Sequence, residues 1–353
     1  MNKNLVVPYV VNWNANVQQA MWKNAALTIA YVGNKGSKLY SIVDLNQNIY
    51  ANDTEGDEQS GRPYVDKFPY LSFVDQLGNG DSSIYHGLQV TLKQQTTNGL
   101  FFVAGYTWAH SIDDSSSNRG YTIQNSFNPA AERGDSDFDI RNRFTFAATY
   151  QPHGKPGYAQ MMEGWGFNSI FTMQSAEPVL FYDSFDDISY TGSFNDRWNL
   201  SGDARNIHWV KTGSLPFFAD GTTNPACVAA DPSGVTDGQL AYYGCWAGPN
   251  WTITPPAEGA FGNMGRNVVR GPDYVNLDLS VLKTFTFEQH LNLELRAEFF
   301  NILNHPNLTA IDGDVSDTSS LGLARYTPDV YASNPVVGSG GSRHIQLGAK
   351  LRW

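Results

Sequence analysis

Charge is scarce in this chain. Only 16% of its 353 residues are Asp, Glu, Lys or Arg, and they lean acidic, 34 against 23, for a net charge of −11. That is the wrong sign for a phosphate backbone, so nucleic acid is excluded as a partner. Long apolar runs are missing too: nothing approaches the roughly 18 consecutive apolar residues of a spanning helix, which excludes a helical membrane protein. No charged-then-apolar leader opens the chain. Met1 instead runs directly into what reads as the middle of a strand system, so a start lost from a longer protein is expected. Catalytic signatures are absent as well: there is no nucleophile elbow, Walker loop, dinucleotide fingerprint or His-Glu-x-x-His, and the seven histidines are scattered. Neither enzymatic activity nor a cofactor is expected. Cysteine is limited to Cys227 and Cys245, in a stretch rich in Gly, Pro and Ala. Such a pair reads as a local disulfide formed in an oxidising compartment, or else as two unpaired small residues.

What the chain does have is alternation. Aromatics reach 13%, and strict period-2 patterns recur. At the C-terminus Ile345, Leu347, Ala349, Leu351 and Trp353 fall on one side, and His344, Gln346, Gly348, Lys350 and Arg352 on the other. Successive side chains of a strand point to opposite faces, so this segment has one apolar and one polar, cationic face. The same division separates Leu291, Leu293, Leu295, Ala297 and Phe299 from Asn292, Glu294, Arg296 and Glu298. It sets Phe144, Phe146, Ala148 and Tyr150 apart from Arg143, Thr145, Ala147 and Thr149, and Leu277, Leu279 and Val281 apart from Asn276, Asp278 and Ser280. Weaker versions run through Leu27, Ile29 and Tyr31; Leu88, Val90 and Leu92; Leu100 to Trp108; and Trp165, Phe167, Phe171 and Met173. With an opening segment near residues 9–20, about ten strands are expected, boundaries being uncertain by a few residues.

Connections alternate between short, near residues 21–24, 96–98, 152–163 and 286–289, and long, near 43–81, 113–137, 178–271 and 304–341. Strands that are greasy outside and polar inside, with short turns at one end and long loops at the other, suit an antiparallel transmembrane β-barrel. Its short turns are periplasmic, its long loops extracellular, and it sits in the outer membrane of a Gram-negative cell. Trp353 then lies at the periplasmic end. Tyr150, Trp165, Phe285 and Trp353 mark one interfacial girdle, and Tyr106, Trp108 and Phe299 mark the other.

Several stretches resemble the C-terminal barrel region of TonB-dependent outer-membrane receptors, in particular the Oar-like proteins of acidobacterial type. They are YVGNKGSKL (31–39), YHGLQVTLKQ (85–94), GYTWAHSIDDSS (105–116), ERGDSDFDIRNRFTFAATY (132–150), FGNMGRNVVRGP (261–272) and RAEFFNILNHPN (296–307). The terminal Gly348-x-x-Leu351-x-Trp353 resembles the signal read by the barrel assembly machinery. The resemblance implies energised uptake through a 22-stranded barrel, closed by an N-terminal plug whose TonB box couples to the inner membrane. Plug and TonB box are not in this sequence, so residues 1–353 are expected to be a single barrel region, a C-terminal piece that reaches TonB only through a missing N-terminal part.

Candidate functional residues are few. Glu294, Arg296 and Glu298, at successive inward positions, either contact a plug or substrate or form a charge ladder that keeps the interior polar. Asp135, Asp137 and Asp139 alternate near Arg133, Arg141 and Arg143; the Gly and distal Glu of a calcium loop are missing, so ion pairing at the rim is expected rather than a metal site. Gly338 to Gly341 lead into a strand, which argues against a phosphate cradle. The loop at 178–271, with its tryptophans, is a candidate surface for a carbohydrate, peptide or metal chelate. A passive outer-membrane channel or adhesin barrel, and a soluble secreted glycan-binding β-sandwich, remain as alternatives. In the sandwich the apolar stripes would meet each other across a dry core.

Overall fold

The computed structural model describes residues 3–116, 123–154, 160–231, 237–287, 291–331 and 340–353. One antiparallel sheet dominates it. Its long strands are β1 (Tyr9–Ala20), β2 (Ala25–Asp44), β3 (Asp75–Thr97), β4 (Leu100–Asp113), β5 (Asn142–Tyr150), β6 (Trp165–Gln174), β7 (Tyr274–Phe287), β8 (Leu291–Phe300) and β9 (His344–Arg352). Each pairs with its neighbours in chain order; these nine are the segments marked by alternation, close to the ten expected, and the two-residue strand Gly134–Asp135 adds to the end of β4 from within a long connection. No helix among the described residues is long and apolar enough to cross a membrane.

Directly opposed residues of neighbouring strands share a face, so the pairing register tests the alternation across the whole sheet. Phe299 pairs with Leu279 and Ile345, Ala297 with Val281 and Leu347, and Leu293 with Phe285 and Leu351. The row continues from Val281 to Phe167, from Phe167 to Tyr150 and from Tyr150 to Leu100. Farther on it joins Tyr106, Val90, Ile29 and Val17. One apolar face therefore spans all nine long strands. It is not covered: Val17, Ile29, Trp108, Leu295 and Leu347 are exposed, Leu347 by 78%. The other face carries Asn14, Asn16, Thr145, Asn168, Asp278, Glu294 and Lys350, although Val103, Ile170 and Leu282 interrupt it.

The sandwich alternative fails on this arrangement, because the stripes face outwards and do not meet. The buried apolar cluster lies instead in the loops, around Phe181, Ile188, Trp198, Trp246, Trp251, Ile253 and Leu321. Sandwich cores use the inner faces of their sheets; here the long strands supply only Ala25 and Ala109 to the buried apolar set.

Short and long connections alternate as the sequence predicts. The β3–β4 link is two residues, Asn98 and Gly99, with φ of 52° and 79°. A hairpin turn that follows the strand twist needs positive φ at both central positions, which Asn-Gly supplies at least cost. The β2–β3 hairpin is longer than expected: β3 begins at Asp75, and the pairing continues past irregularities at Gly36, Leu39 and Ser41 to Asp44. The extension carries Lys35, Ser37, Asn79 and Asp81 where the apolar alternation has stopped, so hydrophobic pattern alone could not reveal it.

Candidate functional site

Four long connections, residues 45–74, 114–141, 175–273 and 301–343, leave the same end of the sheet and interlock into a crown. Its core is the cluster around Trp198 and Trp246, with a four-stranded sheet built from Asn199–Gly202, Phe217–Phe218, Cys245–Gly248 and Trp251–Thr254. Trp246 donates its indole N–H to the Val315 carbonyl, 3.0 Å away, and Trp198 donates to Asp183 Oδ2 at 2.9 Å. Three of the loop tryptophans, Trp198, Trp246 and Trp251, are thus core residues rather than an exposed ligand platform; Trp209 alone of the four in this loop is half-buried. Cys227 and Cys245 are bonded to each other beside Leu240, with Cα atoms 6.3 Å apart.

At the rim, the motif segments meet one another. Arg141 bridges Asp135 at 3.1 Å and Asp139 at 2.7 Å, Arg270 pairs with the same two carboxylates, and Arg133 reaches Asp114 at 3.1 Å. His110 also faces Asp135 and Asp139, so these three residues have the spacing of a metal site. With two arginines against two carboxylates, however, the charge a cation would supply is already present. Asp137 accepts from Arg266 at 3.3 Å and from Asn267 at 2.7 Å. Ion pairing is what the alternating aspartates do, as expected from the sequence; Arg143 takes no part in the rim's ion pairs among the described residues. Arg266 is buried, and its guanidinium binds the Asp113 carboxylate, the Asp113 carbonyl at 2.7 Å and the Glu132 carbonyl at 2.9 Å. Arg197 forms a two-pronged pair with Glu132, at 2.7 and 3.1 Å.

Sequence reasoning did not single out Arg197, Arg266 or Arg270, nor the asparagines that anchor the last loop. Asn301 donates to the His305 and Gly341 carbonyls, while Asn307 accepts from Val275 N at 2.8 Å. Asn301 and Asn307 belong to the RAEFFNILNHPN string, which was the only available signal.

On the polar face of the wall, Arg296 binds Glu294 at 2.9 Å and Glu298 at 3.4 Å, and Arg352 reaches Glu294 from β9 at 3.1 Å. The ladder is internally neutralised. Gly348 and Leu351 lie on β9, paired with Arg296 and Leu293, and Trp353 is 90% exposed just beyond them. At the short-turn end, Trp165, Phe167 and Tyr150 form a stacked aromatic run, with ring centroids 6.3 and 6.5 Å apart. Lys283 is the charge on the apolar face there; its ammonium binds the Gln160 and Glu163 carbonyls and lies 5.2 Å over Trp165. Of the glycine-rich cluster at 338–341, Gly338 and Ser339 lie outside the described residues.

Asp196 is wholly buried in the crown, and desolvation pushes its carboxyl from 3.8 up to about 7. Between those values the folded crown holds a proton that the unfolded chain has released, so crown stability falls as pH rises through that window and is lowest above it. The crown should therefore melt at a higher temperature at pH 5 than at pH 8, followed through its buried tryptophans. Asp196→Asn should shrink that difference, and an unchanged difference would assign the pH response elsewhere.

A family model described as an outer membrane beta barrel domain matches residues 1–346. No curated protein matches the chain. Among solved structures, the outer membrane transporter YddB from Escherichia coli is similar over 100% of this chain and 33% of its own, at 12% identity and a TM-score of 0.49. The ferripyoverdine receptor of the Pseudomonas aeruginosa outer membrane, solved with ferripyoverdine bound, is similar over 97% of this chain and 27% of its own, at 10% identity and a TM-score of 0.40. The chain thus spans about a third or less of the length of these structures. The apolar outer stripe, the alternating connections and the family match over nearly the whole chain lead to one statement: this chain belongs to the outer membrane beta barrel domain family.

Proposed function

We propose that residues 1–353 form one barrel region, the C-terminal wall of a TonB-dependent receptor of the Oar-like type that takes up a ligand across the outer membrane. The supporting observation is the sheet itself. Nine long strands pair strictly in sequence, and among the described residues β1 and β9 do not pair with each other, so the wall has two open edges. Open edges in hydrocarbon leave unpaired N–H and C=O groups, each costing several kcal/mol. Further strands must complete the wall, as in a barrel of about 22 strands. Three of the motif strings, at 105–116, 132–150 and 261–272, meet at the rim and hold the crown, which supports the receptor assignment. Lipid covers the apolar face, and the short turns are periplasmic.

In this reading Glu294, Arg296 and Glu298, neutralised among themselves and by Arg352, keep the interior wet rather than grip a ligand. Gly348, Leu351 and Trp353 present the strand that the barrel assembly machinery receives. Cys227–Cys245 staples the crown after export into an oxidising compartment. The coding sequence immediately upstream decides the matter. A plug domain with a TonB box in the same reading frame is the expected result. Their absence, together with steady ion conductance through a closed pore of this chain in planar bilayers, would replace the receptor by a passive channel.

A further inference from the structure

We propose that a crevice on the crown binds an organic anion with an apolar face, a uronic-acid saccharide being the simplest such solute. The crevice has a volume of about 500 Å³ and lies between residues 204–211, the bend at 270–273 and the turn at His305 and Pro306. That is within the size range of small-molecule sites. Three cations, Arg205, Lys211 and Arg270, and two histidines, His208 and His305, line it, against the single carboxylate of Asp273.

The cations are not equivalent. Arg205 is clamped on Asp203, at 2.7 Å, and Arg270 is held by Asp135 and Asp139. Lys211 has no carboxylate partner among the described residues; its ammonium lies 6.0 Å over the half-buried ring of Trp209. An unpaired ammonium beside an indole offers a charge for a carboxylate and a flat surface for the C–H face of a sugar.

The backbone that carries this pair is fixed. Ile207 is buried in the crown core, Val210 N donates to the Gly322 carbonyl at 2.8 Å, and Ala324 N donates to the Val210 carbonyl at 2.9 Å. His208, Trp209 and Lys211 are therefore presented from a pinned segment, which lowers the ordering cost of binding. Across the ridge of Gly271 and Pro272 lies a larger cavity, about 750 Å³, with Asp137, Glu177 and Asp312 in its wall and no Lys, Arg or His. An anion is disfavoured there and directed to the basic side.

The proposal deepens the receptor reading, resting on it for the outward orientation of the crown. Its test is titration of the full chain, folded in detergent, with trigalacturonate and with uncharged maltotriose, by calorimetry. Saturable binding of trigalacturonate is expected, with maltotriose weaker by about tenfold, the worth of one charge-assisted contact. Lys211→Glu and Trp209→Ala should each weaken trigalacturonate by about tenfold or more, whereas Lys67→Glu, an equal change of charge outside the crevice, should not. Failure to bind trigalacturonate, equal binding of maltotriose, or indifference to both crevice substitutions would overturn the proposal in a chain whose circular dichroism shows folded strands. None of these results bears on the receptor reading, which stands or falls on the upstream plug.

Discussion

Leu295→Arg should destabilise the folded wall by about 2–4 kcal/mol in lipid vesicles, the cost of a cation near the bilayer midplane on the lipid face of a barrel. Leu295 sits in the middle of β8, paired with Lys283 and Ala349, and is exposed on the apolar face. Glu294, one residue away, points to the opposite face, where it pairs with Arg296 and Arg352. Those pairs are partly exposed, and exposed ion pairs contribute little. Glu294→Leu should therefore cost less than about 1 kcal/mol. Urea titration of both variants refolded into vesicles makes the comparison. Equal losses at adjacent positions would mean that the two faces of the sheet do not meet different solvents, and the membrane reading would fail with them. Both variants are read in the same wall at adjacent positions, so the contrast is insensitive to the stability of the wall as a whole.

The wall was legible because its information is local. Alternation at Ile345 to Trp353 or at Leu291 to Phe299 follows from the pleat, and each strand announces its own two faces without reference to its neighbours. Turn chemistry was equally local at Asn98–Gly99. The crown was largely illegible because its stabilising pairs are distant in sequence. Glu132 meets Arg197 at a separation of 65, and Arg266 reaches Asp113 at 153. Its core side chains form no run longer than an i, i+2 pair such as Trp251 and Ile253, and Phe181, Ile188, Trp198 and Leu321 are isolated apolar positions among polar neighbours or pairs too short to mark a strand. Composition could not separate a buried tryptophan such as Trp246 from a half-buried one such as Trp209. The alternating aspartates at 135, 137 and 139 were readable as rim residues because Arg141 lies close in sequence, whereas Arg266 and Arg270 lie more than a hundred residues away. Three of the motif strings thus supply contact residues of the rim: GYTWAHSIDDSS contributes Asp113, ERGDSDFDIRNRF contributes Asp135 to Arg141, and FGNMGRNVVRGP contributes Arg266 and Arg270, which bind Asp113, Asp135 and Asp139.

That placement makes Glu132 a position where the crown is vulnerable. Arg197 is 5% exposed and Glu132 8%, and both ends of the pair are saturated: Arg197 Nε donates to the Met264 carbonyl at 2.9 Å, and Glu132 Oε1 accepts from Gln124 N at 3.2 Å. Removing one partner of such a pair strands a charge in a site closed to water, a loss of about 3–5 kcal/mol. Glu132→Ala should lower crown stability by that amount while leaving the strands intact, because the pair joins the loop at 114–141 to the loop at 175–273 and touches no lipid-facing residue. Limited proteolysis within residues 175–273 should accelerate at unchanged β-sheet circular dichroism. Arg197→Met added to Glu132→Ala should recover part of the loss, since the orphaned charge is the main cost and an apolar side chain of similar length fills its place. If the double variant were no better than Glu132→Ala, the loss would reside in the hydrogen bond from Gln124 and the space left by the Glu132 side chain rather than in the stranded guanidinium. If the strands melted with the loops, the crown would be part of the wall's own cooperative unit, and the division of this chain into a lipid-facing sheet and a separately packed crown would have to be abandoned.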